Sequence, residues 1–125
     1  MATQTVLSVG QCGPDTTSIS RFLNQHFEVN LLTADLPADS LETLRNQAVD
    51  LVLINRKLDA DYTDGMVILE AIKADPELAG IPVMIVSNFE DAQKAAVEAG
   101  AEYGFGKLEY DLPATRDRVA AALSQ

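Results

Sequence analysis

Apolar residues in this chain come in short continuous runs and in helical stripes, and the two alternate. The run Asp50-Leu-Val-Leu-Ile-Asn55 is unbroken between polar ends, as a strand buried on both faces of a parallel sheet requires. Thr5-Val-Leu-Ser-Val9 and Ile81-Pro-Val-Met-Ile-Val86 read the same way, and Glu28–Thr33 and Glu102–Gly106 read as weaker strands. Between them the period changes. Ile19, Phe22, Leu23 and Phe27 share one face of a helix over 15–27, with Asp15 as its N-cap or first-turn acid after Gly13-Pro14. Pro37 and Asp39 open a second helix with Leu41, Leu44 and Ala48 inward. A third covers 65–74 with Met66, Leu69 and Ile72 inward, closed by Pro76. An Ala-rich fourth covers 90–99 and ends at Gly100; a fifth covers 112–123 with Leu112, Val119 and Leu123 inward.

Five strand–helix units in 125 residues predict one α/β domain over 1–125. The expected architecture is a doubly wound, flavodoxin-like parallel sheet of five strands in the order 2-1-3-4-5, with right-handed crossovers. Ligands of such sheets collect beyond the carboxyl ends of the strands. That places any chemistry at Gly10-Gln11, Asn55, Ser87-Asn88 and Lys107.

Charge and composition narrow the function. The net charge of −10 is scattered rather than blocked, and no basic face offsets it, so neither nucleic acid nor anionic membrane is an expected partner. A single cysteine, Cys12, excludes an internal disulfide and fits a reducing compartment. No apolar stretch is long enough to span a bilayer and no basic leader precedes the first strand, so a cytoplasmic location is expected. Cys12 reads as a small buried spacer, and His26, without a His, Cys or triad partner, as a surface side chain. No nucleophile–base pair or metal cluster appears, so the chain is not expected to be an enzyme.

An ordered set of short pieces resembles the receiver domain of response regulators (the CheY-like family) over essentially the whole chain. The pieces are Asp50-Leu-Val-Leu-Ile-Asn55, Asp64-Gly65, Asp75-Pro76-Glu-Leu-Ala-Gly-Ile-Pro-Val83, Ile85-Val-Ser87, and Gly100-Ala101 followed by Lys107. The resemblance implies a module of two-component or phosphorelay signalling whose partners are proteins, a sensor kinase or an effector. It also implies a phosphoryl-accepting Asp ending the third strand, where this chain has Asn55. A Mg²⁺-binding acidic pair should end the first strand, where this chain has Gly10 and Gln11. Ser87 keeps the place of the hydroxyl that contacts the phosphoryl group, and also fits a strand-end turn. Lys107 keeps the place of the acceptor's partner, followed by Leu108 instead of Pro. The aromatic switch position holds Gly104, between Tyr103 and Phe105, and the loop after Asn55 is longer than in the commonest form.

Phosphoryl transfer needs an oxyanion nucleophile and a cation that neutralises the transferring group. A carboxamide is no such nucleophile, and Mg²⁺ prefers carboxylates and water. The chain therefore resembles a pseudo-receiver that acts by protein contact, with no Mg²⁺ or other cofactor expected. Lys107 should then find the Asn55 carbonyl, a backbone carbonyl or a loop carboxylate. The resemblance also implies a contact face made of the fourth helix, fifth strand and fifth helix, where this chain has Val97, Tyr103 and Phe105 around Gly104. Two alternatives stand beside this reading. One is a flavodoxin-like domain for a small ligand or phosphate, cradled by Gly10-Gln-Cys-Gly-Pro-Asp-Thr-Thr-Ser18. The other is a receiver phosphorylated at a non-standard acid among Asp15, Asp59, Asp61 and Asp64, which otherwise read as a cap and solvated turn residues.

Overall fold

A computed structural model of the chain describes residues 3–124. Strands β1 (Gln4–Val9), β2 (Val29–Ala34), β3 (Leu51–Asn55), β4 (Val83–Val86) and β5 (Glu102–Phe105) alternate with helices α1 (Gly13–His26), α2 (Pro37–Asn46), α3 (Met66–Ala74), α4 (Glu90–Glu98) and α5 (Pro113–Leu123). The strands pair in parallel, in the order β2-β1-β3-β4-β5. This is the doubly wound arrangement the alternation predicts.

The pleat divides each apolar run between two cores. Leu51, Leu53, Met84 and Val86 point to the side where Ile19, Phe22 and Leu23 of α1 meet Val119 and Leu123 of α5. Val52, Ile54, Val83 and Ile85 point to the other side, against Leu44 of α2, Ile68, Leu69 and Ile72 of α3 and Ala96 of α4. The central strands are thus covered on both faces, which is why β3 and β4 carry no polar residue before their ends. Each fully buried aliphatic side chain contributes about 1.5–3 kcal/mol by leaving water.

Three ends differ from the sequence expectation. α2 stops at Asn46, so Ala48 is exposed and Val49 takes the buried place. Leu112 is the N-cap of α5 and 47% exposed, because Pro113 opens the helix and turns the preceding side chain outward. β4 begins only at Val83: Pro82 has no N–H for the ladder, although its carbonyl accepts from Val52 at 3.0 Å. Asp39 does open α2. Its carboxylate accepts from the backbone N–H groups of Asp35 and Leu36 at 3.0 and 2.8 Å. Burial alone would raise its pKa; those donors outweigh burial and hold it below the ordinary value.

Candidate functional site

The carboxyl ends of β1, β3, β4 and β5 meet at one mouth, and the local chemistry of each end explains its shape. Gly10 follows β1 with φ +74, and a Cβ there would meet the Leu58 side chain at 2.4 Å. Leu58 is fully buried in the core shared with α2, α3 and α4. It anchors the loop after β3, which closes on itself through Leu58 N–H to the Thr63 carbonyl at 2.9 Å. The Gly10 carbonyl accepts from Asp59 N–H at 2.9 Å and from Asn55 Nδ2 at 3.1 Å. The Asn55 carboxamide is therefore the clasp between β3 and the first βα turn.

The loop acids are exposed and spent on turn chemistry. Asp61 accepts from Thr63 N–H at 3.0 Å and Asp64 from Met66 N–H at 2.9 Å. Neither these nor the exposed Asp59 lines the cavity at the mouth. Gln11 is buried; its Nε2 reaches only the Val9 carbonyl, at 3.5 Å, and its Oε1 has no partner among the described residues. Gly10, Gln11 and Asn55 offer no carboxylate, so this donor set does not fit Mg²⁺.

Ser87 is buried, and its Oγ accepts from Phe89 N–H at 3.1 Å, a strand-end turn that still leaves Ser87 on the cavity wall. Lys107 reaches across the mouth to Asp15 in the first turn of α1, with Nζ to Oδ2 at 2.5 Å. The sequence predicts other acceptors for Lys107 and makes Asp15 an N-cap or a first-turn acid; Asp15 is the first-turn acid. The N-cap position itself is held by Cys12, half-buried rather than buried. The signal available was an acid in the helix that faces the mouth, on the same side of the sheet as the lysine.

Burial acts to raise the Asp15 pKa. The hydrogen bonds from Lys107 and Cys12 and the charge of Lys107 outweigh it, so Asp15 titrates below its ordinary 3.8. A folded-state value below the unfolded one gives stability that is present above about pH 4 and lost as pH falls through the folded value. Both side chains are partly solvated, at 34% and 25% exposure, so the pair is worth about 0.2–1 kcal/mol. Asp15→Asn is expected to lose that amount at pH 7 and to show a shallower loss of stability between about pH 5 and pH 3. Urea unfolding at each pH measures it; an unchanged acid slope contradicts the assignment. Tyr110 lies near this pair with its hydroxyl buried and unpartnered among the described residues. Burial, and then the Asp15 charge, push its pKa up to about 12.

A cavity of about 260 Å³ opens at the mouth, lined by Asn55, Arg56, Lys57, Ser87 and Lys107 among others. The sequence positions Asn55, Ser87 and Lys107 are brought together; Gly10 and Gln11 lie outside its lining. Arg56 and Lys57 were not anticipated, although they directly follow Asn55. No residue of the Gly10–Ser18 turn contributes to the wall. On the adjoining face Tyr103 is 40% and Val97 43% exposed, and the Arg118 guanidinium lies 4.8 Å from the Tyr103 ring. Phe105 does not belong to that surface. It is fully buried against Phe22 and Tyr110: regular alternation would put residues 103 and 105 on one face, and the extra residue that β5 carries between Glu102 and Phe105 breaks it. Leu108, 86% exposed, stands there instead. His26 is exposed, its ring edge-on to Phe22.

Among the described residues no group of three or more His, Cys, Asp or Glu is placed to hold a metal ion, and no helix is long and apolar enough to cross a membrane. No protein-family model matches the sequence. No curated protein is significantly similar to it. Solved structures do match. A protein classed as a response regulator from Chloroflexus aurantiacus J-10-fl superposes with a TM-score of 0.84 at 17% identity, over 99% of this chain and 100% of that one. The signal receiver domain of a DNA-binding response regulator from Colwellia psychrerythraea 34H gives 0.80 at 23% identity, over 98% and 99%. The N-terminal receiver domain of a two-component response regulator from Bacteroides fragilis gives 0.79 at 21%, over 99% of both. The chain has the fold of the response-regulator receiver domains.

Proposed function

We propose that the chain is a receiver-like signalling module of a two-component or phosphorelay-type system, cytoplasmic and not itself an enzyme, that works by protein contact without being phosphorylated. One observation carries this reading. The residue at the end of β3 is a hydrogen-bond donor, Asn55 Nδ2, committed to the Gly10 carbonyl at 3.1 Å. An aspartate in that place would have no proton to give and would set a charged oxygen against a carbonyl oxygen. The mouth is built for a carboxamide. The absence of carboxylates at Gly10-Gln11 and the engagement of Lys107 by Asp15 support the same reading. The partner, a sensor kinase or an effector, would meet the face of α4, β5 and α5. Tyr103, Val97 and Leu108 are exposed there, and exposed aromatic residues commonly anchor interfaces.

Acetyl phosphate with Mg²⁺, read by intact mass, tests the proposal. The parent protein is expected to show no phosphoryl adduct. Asn55→Asp is expected to lose about 1–2 kcal/mol of stability, with its donor gone, and to gain little adduct, since no metal carboxylates accompany it. A stoichiometric adduct on the parent would falsify the reading.

A further inference from the structure

We propose that the mouth and the groove beside it form one composite site for a small organic dianion, with its charged head among Arg56, Lys57 and Lys107 and its apolar body between α3 and α4. The groove encloses about 520 Å³ and is walled by Met66, Ile85, Phe89, Ala92 and Ala95. That volume is in the range of small-molecule sites. Arg56 and Phe89 line both the groove and the mouth cavity, so the two spaces adjoin at this pair. The Arg56 guanidinium lies over the Phe89 ring at 5.4 Å, which places the border between charged and apolar parts.

The charge count selects the ligand class. Lys107 is already neutralised by Asp15. Among the described residues neither Arg56 nor Lys57 has a carboxylate at ion-pair distance. Two positive charges without a direct ion pair therefore line a cavity with no carboxylate on its wall, in a chain whose net charge is −10. Ser87 and the Asn55 and Asn88 carboxamides add polar groups around the same space. Asp64 and Asp91 sit on the groove, not at the mouth, so they repel an anionic head from the groove and orient the ligand one way. An aryl phosphate monoester has this shape and charge. Its binding is non-covalent and needs no metal, so it stands independently of whether the chain can be phosphorylated.

Phenyl phosphate, inorganic phosphate and neutral benzyl alcohol, each titrated in EDTA into the ¹⁵N-labelled protein, separate the parts. Phenyl phosphate should give saturable amide shifts at Arg56, Ser87 and Asn88 and also at Ala92 and Ala95. Inorganic phosphate should move only the mouth, about tenfold more weakly, and benzyl alcohol should bind more weakly still. Arg56→Gln combined with Lys57→Gln should weaken phenyl phosphate at least about tenfold. Ala95→Leu, which fills the groove, should reduce phenyl phosphate to the level of inorganic phosphate and leave the latter unchanged. The amide spectra of the variants report their folding. The proposal is overturned if phenyl phosphate gives no saturable shift at the mouth by about 10 mM, if it binds no better than inorganic phosphate, or if the folded double variant binds it like the parent.

Discussion

Gln93→Leu is expected to lower the unfolding free energy by about 3 kcal/mol and to loosen α4 before the rest of the sheet. Gln93 is a carboxamide in a helix otherwise rich in alanine, yet it is only 3% exposed. Its Nε2 donates to the Ile85 carbonyl at 2.8 Å and to the Ser87 carbonyl at 3.2 Å, and its Oε1 accepts from Gly104 N–H at 2.8 Å. One side chain thus ties β4, the turn at the mouth and β5 to α4. Leucine keeps most of the volume but leaves the Gly104 N–H without its partner in a buried place, and each such orphan costs about 1–3 kcal/mol. Urea unfolding gives the loss, and amide exchange along α4 its location. A folded leucine variant within about 0.5 kcal/mol of the parent would show that water or a rearranged β5 replaces the bonds. On the proposed reading this lock has a functional meaning. A face that no phosphoryl group biases between two states can be held in one, and Gln93 holds α4 to β5 at the surface that Tyr103 and Val97 expose.

How far the sequence carried the structure follows from the physics of each signal. Periodicity located the five strand–helix units, because burial on two faces leaves a continuous run and burial on one helical face leaves a stripe. It erred where orientation depends on a chain reversal. Leu112 precedes a helix-opening proline and faces solvent, and Ala48 lies beyond the cap of α2. The site was legible as a set of strand ends, since topology alone gathers Asn55, Ser87 and Lys107. What those residues do was not. The Lys107–Asp15 pair and the Asn55–Gly10 clasp join positions far apart in sequence, and no local pattern announces either. Leu58 hides among loop acids, and only packing against Gly10 reveals it as a core residue. Gln93 reads as one more polar position of a solvated helix, because the bulge that needs it lies in another element.

That bulge sets the other large expected effect. Met84 pairs with Glu102 and Val86 with Phe105, so two steps along β4 match three along β5. The extra residue takes Gly104 out of the regular ladder, and side chains from both layers satisfy it: Gln93 accepts from its N–H, and Arg118 Nη1 donates to its carbonyl at 3.0 Å. Glycine permits the close approach. A Cβ at 104 would stand 2.3 Å from the Ile85 carbonyl oxygen and 3.1 Å from Gln93 Oε1. The first of these is backbone of the neighbouring strand, which cannot swing aside as a side-chain tip can. Gly104→Ala is therefore expected to cost about 2–4 kcal/mol, by forcing β5 away from β4 and stretching the Gln93 bonds. Tyrosine at this position, where the resemblance places an aromatic switch, should fare worse than alanine rather than restore a switch. The two substitutions act on one cross-link, so Gln93→Leu with Gly104→Ala should lose less than the sum of the single losses, by about 1 kcal/mol or more. Strict additivity in urea unfolding would mean that the helix contact and the bulge are held independently. Sub-additivity would identify the glycine and the glutamine as two halves of the same fastening between α4 and the edge of the sheet.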